Sequence, residues 1–224
     1  MRKEMDNASI AHEHVNGSFE LHVISTGDGD RVSFVQAAKV VWPWVDYIHI
    51  REKHLSWQNR IYWAESLRSV GVQACRIVIN GCELPSQSRT YGGVHWGQEA
   101  MRDYNMEAVN NIQQQRLGVS VHSMDEARVA EDRGAHYLFY GHVFATGSKP
   151  DAEPRGLDAL AEVCSGVSIP VIAIGGIQPE NICAIRSSGA KGAAVISNVW
   201  TADSPEQAAA SLRKAIIDSV RWRG

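Results

Sequence analysis

Residues 170–197, PVIAIGGIQPENICAIRSSGAKGAAVIS, contain one complete strand–helix–strand unit. The two apolar runs 170–175 and 192–197 have the length and composition of buried parallel strands. Between them, Pro179 suits the first turn of a helix and Gly189 suits its end, because glycine adopts the left-handed conformation at little cost. This stretch therefore predicts two parallel strands joined by a helix.

The same alternation extends back to Leu21. The predicted strands are 21–26, 46–51, 76–80, 93–97, 117–122, 137–143, 170–175 and 192–197, and each precedes a segment that could form a helix. Helix starts are indicated by Ser123 with Glu126 and by Ser204 with Pro205, and helix ends by Gly71, Gly134 and Gly189. The third helix, at 82–90, is short and polar.

Eight strand–helix units in 224 residues predict one α/β domain, a single (β/α)8 TIM barrel over residues 19–224. Residues 1–18 are polar and aperiodic, which predicts a flexible N-terminal tail. A doubly wound open sheet is the alternative architecture. It would more often carry a glycine-rich dinucleotide turn after the first strand, and residues 25–29, STGDG, match that turn poorly.

The amino-acid composition indicates which classes of partner and which cellular compartment to expect. The net charge of -3 and the scattered basic residues argue against a nucleic acid, and no apolar stretch is long enough to span a membrane. The first 18 residues lack the apolar core of a secretory signal, so we expect a cytoplasmic protein. The four cysteines form no C-x-x-C pair, which predicts reduced and mostly buried thiols with neither a disulfide framework nor a zinc site.

The loops after strands seven and eight predict a phosphate site. In this fold phosphates often bind there, at the carboxyl ends of the strands. Gly175 and Gly176 let the backbone approach an anion closely and offer it N–H groups, and Ile196 and Ser197 follow the last strand. The expected ligand is a phosphorylated small molecule.

Polar side chains at the other strand ends extend this candidate site. Arg51 and Lys53 follow strand two and can point to one anion, whereas Asn80 ends strand three and can orient a substrate through its amide. His122 ends strand five, where its ordinary pKa suits proton transfer near neutral pH. Thr146 and Lys149 lie in a loop that could close over a phosphate. Gln98 and Glu99, after strand four, are as compatible with a structural role as with a functional one.

Together these segments resemble the thiamin phosphate synthase superfamily from Leu21 to about Leu212. The matching motifs, in chain order, are residues 49–53 (HIREK), 93–99 (GVHWGQE), 118–123 (GVSVHS), 140–146 (YGHVFAT), 170–177 (PVIAIGGI) and 192–197 (GAAVIS). The resemblance implies the same barrel, a thiamin-biosynthetic role and a homodimer.

The superfamily has two main branches, which differ in their acidic residues. The synthases join a pyrimidine pyrophosphate to a thiazole phosphate with Mg²⁺ held by carboxylates, but this chain has Gly81 and Ala100 where two are expected. The chain is more similar to the TenI-type thiazole tautomerases, which lack that metal site. This resemblance implies a metal-independent isomerase without a cofactor.

By the same resemblance, His122 would be the acid/base that moves a ring proton in a carboxylated thiazole phosphate. Arg51 and Lys53 would hold its carboxylate or phosphate, and Asn80 would orient the ring. Two alternatives stay open: a thiamin phosphate synthase-like transferase and a non-catalytic regulatory protein of the same fold.

Overall fold

A computed structural model describes residues 19–81, 90–97, 100, 116–147 and 151–221. Within them, eight parallel strands form a closed barrel in chain order. The strands are β1 (Glu20–Ile24), β2 (Tyr47–Ile50), β3 (Ile77–Asn80), β4 (Gly93–Trp96), β5 (Leu117–Val121), β6 (Tyr137–Gly141), β7 (Val171–Ile174) and β8 (Gly192–Val195). The pairing of β1 with β8, with Val23 opposite Val195, closes the barrel. The predicted (β/α)8 fold is confirmed, and the open-sheet alternative is wrong.

Helices surround this barrel. They are α1 (Arg31–Val41), α2 (Trp57–Ser69), α3 (Met124–Asp132), α4 (Gly156–Gly166), α5 (Ile182–Ser187), α6 (Ser197–Trp200) and α7 (Pro205–Arg221), and short 3-10 turns cover Trp42–Trp44, Ala74–Arg76 and Pro179–Asn181. The predicted tail at 1–18 and nearly all of the predicted helix at 82–90 lie outside the described residues. None of the helices in the described ranges is long and apolar enough to cross a membrane.

The predicted helix caps are present, with one change. Ser123 Oγ accepts from the N–H of Glu126, and Ser204 Oγ accepts from the N–H of Gln207. In a capping box the glutamate would return to the N–H of the capping serine. Here the Glu126 carboxylate accepts from the N–H of His122 instead, at 2.7 Å. The cap therefore also fixes the backbone of a residue predicted to be functional.

The prediction that the cysteines are mostly buried is wrong for those that the structure describes. Cys75, Cys164 and Cys183 are free thiols, and Cys82 lies outside the described residues. They are not buried, however, because Cys75 and Cys183 are exposed and Cys164 is half-buried. Cys75 lies in a 3-10 turn before β3, and Cys183 lies on α5, so neither side chain belongs to the sheet.

The core has two layers because side chains on a strand alternate between the two faces of the sheet. On β6, Leu138 and Tyr140 join the large cluster between sheet and helices, whereas Tyr137 and Phe139 point into the barrel. The apolar interior residues are Ile24, Tyr137, Phe139, Ile172 and Ala194, with Ile174 and Ile196 partly buried beside them.

Three histidines share this interior. His22, His49 and His95 are at most 2% exposed, and each ring lies within 5.3 Å of the Phe139 ring, centroid to centroid. Gly118 on β5 makes room for them: a Cβ at that position would overlap the Tyr137 ring and His95 Nδ1. The barrel interior therefore contains three buried polar rings, and they fit only because Gly118 has no side chain.

We expect Gly118→Ala to lower the free energy of unfolding by about 1–3 kcal/mol, the usual cost of overpacking a core. The added methyl group has to displace Tyr137 or His95, which are both buried. Chemical denaturation measures the change. Gly147→Ala is the control, because nothing lies within 4 Å of its added Cβ. Equal stability of the two variants would contradict this description of the interior.

Candidate functional site

All eight strands are parallel, so their carboxyl ends form one rim of the barrel, which we call the mouth. Hydrogen bonds between neighbouring loops tie this rim together. The Trp200 indole donates to the Ile24 carbonyl at 2.6 Å, which joins the β8 loop to the end of β1. The Gly81 N–H donates to the His95 carbonyl at 3.0 Å, which joins the ends of β3 and β4. The predicted site residues that are described lie on this rim.

A buried carboxylate connects the loops after β1 and β2. The two oxygens of Glu52 accept from the N–H groups of Gly27 and Gly29, each at 3.1 Å, and the side chain is fully buried. The Arg51 N–H donates to Ser25 Oγ at 2.8 Å. Glu52 thereby fixes the loop that lies beside Arg51, a role that was not predicted from the sequence.

Arg60, on α2, connects the ends of β2 and β3. Its Nε donates to the backbone carbonyl of Glu52 at 3.0 Å, and its Nη1 donates to the backbone carbonyl of Asn80 at 3.1 Å. The residue is 7% exposed. One sequence feature could have revealed it: Arg60 is the charged member of the apolar face of α2, between Trp57 and Trp63. Buried arginines normally need such partners.

Arg51 and Lys53 differ in burial. Arg51 is half-buried, and its Nη1 lies 3.9 Å from the position that a Gly27 Cβ would occupy. The positive charge of Arg51 also acts on the barrel interior. The pKa of His95 is lowered to about 3, first by burial, then by His22 and then by Arg51. Lys53 is exposed in the following turn. Arg51 is therefore the cation closer to the mouth.

Asn80 ends β3 and is half-buried at the rim. Its Oδ1 lies 3.1 Å from Nδ1 of His49, which is buried directly beneath it in the barrel. Burial, followed by the charges of His22 and His95, holds the pKa of His49 well below its ordinary value. The His49 ring is thus neutral near pH 7. His49 is therefore a buried core residue with a hydrogen-bond partner, and that partner is a predicted site residue.

His122 follows β5 and is half-buried. Its Nδ1 lies 2.8 Å from the Gly141 carbonyl, which also accepts from Arg155 Nε at 3.0 Å. A carbonyl oxygen can only accept, so Nδ1 carries the proton and Nε2 has a free lone pair in the neutral ring. The geometry fixes the tautomer of His122 and leaves one ring nitrogen to accept a hydrogen bond.

The loop after β6 is described only in part. Thr146 is half-buried there, whereas Lys149 lies outside the described residues. The loop after β7 packs closely on the first part of the β6 loop, because the Phe144 N–H donates to the Gly175 carbonyl at 3.1 Å. Whether the loop closes over a ligand stays a prediction.

Gly175 and Gly176 have φ values of 97° and 66°, a conformation that side chains disfavour. A Cβ on Gly176 would also lie 2.5 Å from the Ala145 carbonyl oxygen and 2.7 Å from Phe144 Cβ. Two successive residues of this kind curl the backbone into a concave turn that can present N–H groups to an anion. Both strain and space therefore require glycine here.

Two asparagines hold that turn in place. Asn181 Nδ2 donates to the Gly176 carbonyl at 2.9 Å, and Asn198 Nδ2 donates to the Ile177 carbonyl at 2.7 Å. Asn198 follows Ile196 and Ser197, so it connects the β7 and β8 loops that were predicted to share a phosphate. Neither residue was predicted from the sequence, because both bond to backbone carbonyls, which carry no side-chain pattern.

The described residues do not fit a Mg²⁺ site. In ranges 19–81, 90–97, 100, 116–147 and 151–221, no group of three or more His, Cys, Asp and Glu side chains could hold a metal ion. Glu52, the buried carboxylate of the rim, is occupied by two backbone N–H groups. Gln98 and Glu99 lie outside the described residues.

The fold and the rim place the chain in a class of protein, the (β/α)8 barrels with a polar mouth and a turn of two glycines after strand seven. Comparison with known proteins then identifies the family. The family described as Thiamine monophosphate synthase matches residues 22–199, and the chain belongs to it.

Several curated relatives support this membership. Thiamine-phosphate synthase of Salinibacter ruber is 34% identical over 217 residues, which cover 95% of this chain and 92% of the relative. Thiamine-phosphate synthase of Chloroflexus aurantiacus is 39% identical over 171 residues, covering 75% and 78%. The solved structure of thiamine phosphate pyrophosphorylase from Pyrococcus furiosus has a TM-score of 0.74 and 29% identity, covering 90% of this chain and 97% of that one.

These relatives correct the functional expectation. The isomerase prediction, a thiazole tautomerase, is wrong, because the curated relatives at 33–39% identity are named as synthases. That prediction depended on two missing carboxylates, at Gly81 and Ala100. Three other carboxylates, those of Glu83, Glu99 and Asp103, lie close by in the sequence and outside the described residues.

We expect stability to fall as the pH drops from 7.5 to 5. The pKa of His95 is lowered from 6.5 to about 3, so its stabilising effect is complete above pH 6.5 and is lost as the pH falls toward 3. At pH 5 this single group costs about 2 kcal/mol, because the unfolded chain binds the proton that the folded chain rejects. Denaturation at both pH values measures the loss.

His95→Gln should remove the contribution of His95, about 2 kcal/mol, and leave the part that comes from His22 and His49, whereas His54→Gln should change the pH dependence little. The His54 side chain is 50% exposed and serves as the matched control. A pH dependence identical in both variants would show that the interior histidines do not resist protonation.

Proposed function

We propose that the chain is a transferase of the thiamine-phosphate synthase type, which joins a pyrimidine pyrophosphate to a thiazole phosphate and releases pyrophosphate. The observation that carries this proposal is the family match over residues 22–199, together with relatives at 33–39% identity that bear the synthase name. We further propose that the chain is cytoplasmic and forms a homodimer. Light scattering of the purified protein tests the oligomeric state.

The described part of the rim suggests a role for most of the predicted residues. Gly175, Gly176, Ile196 and Ser197 would bind one phosphate group through backbone N–H groups and the serine hydroxyl, since the β7 turn is curled and anchored to the β8 loop. Arg51 would bind the pyrophosphate of the second substrate, with Lys53, Thr146 and Lys149 contributing from the surrounding loops. A cation there stabilises the negative charge that develops on the leaving group.

Asn80 and His122 would orient the heterocycles. Asn80 offers amide hydrogen bonds at the end of β3, and His122 offers the lone pair of Nε2, because its Nδ1–H is held by the Gly141 carbonyl. Orienting both reactants lowers the barrier by removing their rotational freedom before the reaction. The proposal assigns no step to a metal ion.

The decisive assay incubates the purified chain with both substrates, with and without Mg²⁺, and measures thiamine phosphate by chromatography. We expect product formation. Binding of both substrates by calorimetry without product under either condition would contradict the transferase and favour the non-catalytic alternative.

Arg51→Met should raise the KM for the pyrimidine pyrophosphate about 10- to 100-fold, because a charge-assisted hydrogen bond contributes about 1.5–3 kcal/mol. Steady-state kinetics measures the change. Lys39→Met, which removes an exposed charge from α1, is the control and should match the unmodified chain. A KM that is unchanged in Arg51→Met would remove this residue from the site.

Gly176→Ala should weaken thiazole phosphate binding at least tenfold, because the added Cβ distorts the turn that would hold the phosphate. Gly189→Ala is the matched control: Gly189 also has positive φ, at 93°, but it lies at the end of α5, before β8. Both variants should lose stability from the strain of a positive φ, about 1–3 kcal/mol, and Gly176→Ala should lose more, because its Cβ would also overlap the Ala145 carbonyl oxygen. Equal loss of affinity in both, measured by calorimetry, would contradict a phosphate site at the turn.

A further inference from the structure

One backbone carbonyl at the mouth binds two side chains. The Gly141 oxygen accepts from His122 Nδ1 at 2.8 Å and from Arg155 Nε at 3.0 Å. A carbonyl oxygen has two lone pairs, so it can accept both hydrogen bonds at once. His122 follows β5, Gly141 ends β6 and Arg155 precedes α4, so three separate segments of the barrel meet at this oxygen.

Arg155 also contacts the residues on either side of Gly141. Its backbone N–H donates to the His142 carbonyl at 2.9 Å, and its side chain hydrogen-bonds to the Tyr140 hydroxyl. Tyr140 is buried, and this burial raises the pKa of its hydroxyl, so the phenol is neutral near pH 7. Arg155 therefore contacts three consecutive residues at the end of β6.

Gly141 has no side chain that could hold its peptide group in place. A Cβ at this position would lie 2.1 Å from the Ile174 carbonyl oxygen, so only glycine fits between β6 and β7. Glycine also has the widest backbone freedom of any residue. The direction of the Gly141 carbonyl therefore depends on the groups that bond to this strand end, and Arg155 is one of them.

The helix that follows does not explain why residue 155 is an arginine. α4 begins at Gly156, and Arg155 occupies its capping position without making a side-chain capping bond. Serine, threonine, aspartate and asparagine favour this position, and the positive end of a helix dipole repels a cation. The arginine is locally unfavourable for α4, which points to a role outside the helix.

We propose that Arg155 is a positioning residue for His122. It holds the Gly141 carbonyl in the direction that keeps the His122 proton on Nδ1 and leaves the Nε2 lone pair for the substrate. Arg155 does not need to touch the ligand, since its effect passes through the shared carbonyl. The inference deepens the proposed function, on which it rests for the role of His122.

The direct test is nitrogen-15 NMR of the histidine rings in the ligand-free protein, at about pH 8.5, where an ordinary imidazole is neutral. With its signals assigned by a His122→Gln variant, we expect His122 to be a single tautomer protonated at Nδ1. Arg155→Met should give a mixture of both tautomers, because the carbonyl is no longer held. A His122 ring that keeps its Nδ1 proton in Arg155→Met would overturn the proposal. The measurement requires no enzymatic activity, so its result is independent of whether the chain is a synthase.

Arg155→Gln is the matched variant. The side-chain nitrogen of glutamine is as many bonds from the backbone as arginine Nε, so it can donate to the Gly141 carbonyl without carrying a charge. We expect this variant to keep the single tautomer, and a mixture of tautomers in both variants would contradict an effect through the hydrogen bond. If Arg155→Met fails to fold, Arg155→Ser replaces it, because serine favours the capping position of α4 but is too short to reach the carbonyl.

Kinetics provide the second test. Arg155→Met should lower kcat/KM about tenfold, because a misplaced orienting group reduces the rate, and Arg155→Gln should recover most of the loss. Arg128→Met, which removes an exposed charge from α3, is the control and should stay within about twofold of the unmodified chain. If Arg155→Gln loses as much as Arg155→Met, the cation acts on the substrate directly and the positioning role is wrong.

Discussion

The interior of a closed eight-stranded barrel has to be filled by side chains that its own strands supply, and every polar atom placed there needs a partner. In this chain, Phe139 and its apolar neighbours fill part of the barrel interior. The polar part of the interior consists of His22 and His49, which bond to each other and to Glu20 and Asn80, and of His95, which bonds to Ser120 and Tyr137. Because these bonds reach Asn80, the core and the mouth form one structure.

The mouth is held together by residues that do not themselves face a substrate. Glu52 fixes the β1 loop, Arg60 joins the ends of β2 and β3, and Asn198 joins the β7 and β8 loops. These bonds end on backbone groups, so they preserve the shape of the rim whichever side chains line it. A binding site assembled from separate loops depends on such support, because small displacements reduce binding and rate.

Much of this was accessible from the sequence. Eight apolar runs and the Gly175–Gly176 pair predicted the barrel and the location of the candidate site, because strand periodicity and glycine strain are local properties. Glu52, Arg60 and Asn198 were missed because their partners are carbonyl or N–H groups, which carry no sequence pattern. The choice between family branches failed for another reason: it weighed Gly81 and Ala100, whereas similarity over most of the chain points to the synthases.

The central claim is that the β7 and β8 loops form a phosphate site at the mouth of the barrel. A titration of the nitrogen-15-labelled chain with thiazole phosphate, followed by backbone amide shifts, tests it most directly. We expect the largest shifts at Gly175, Gly176, Ile196 and Ser197, with little change at Arg116 at the opposite end of the barrel. Saturable binding that leaves those four amides unshifted would contradict it.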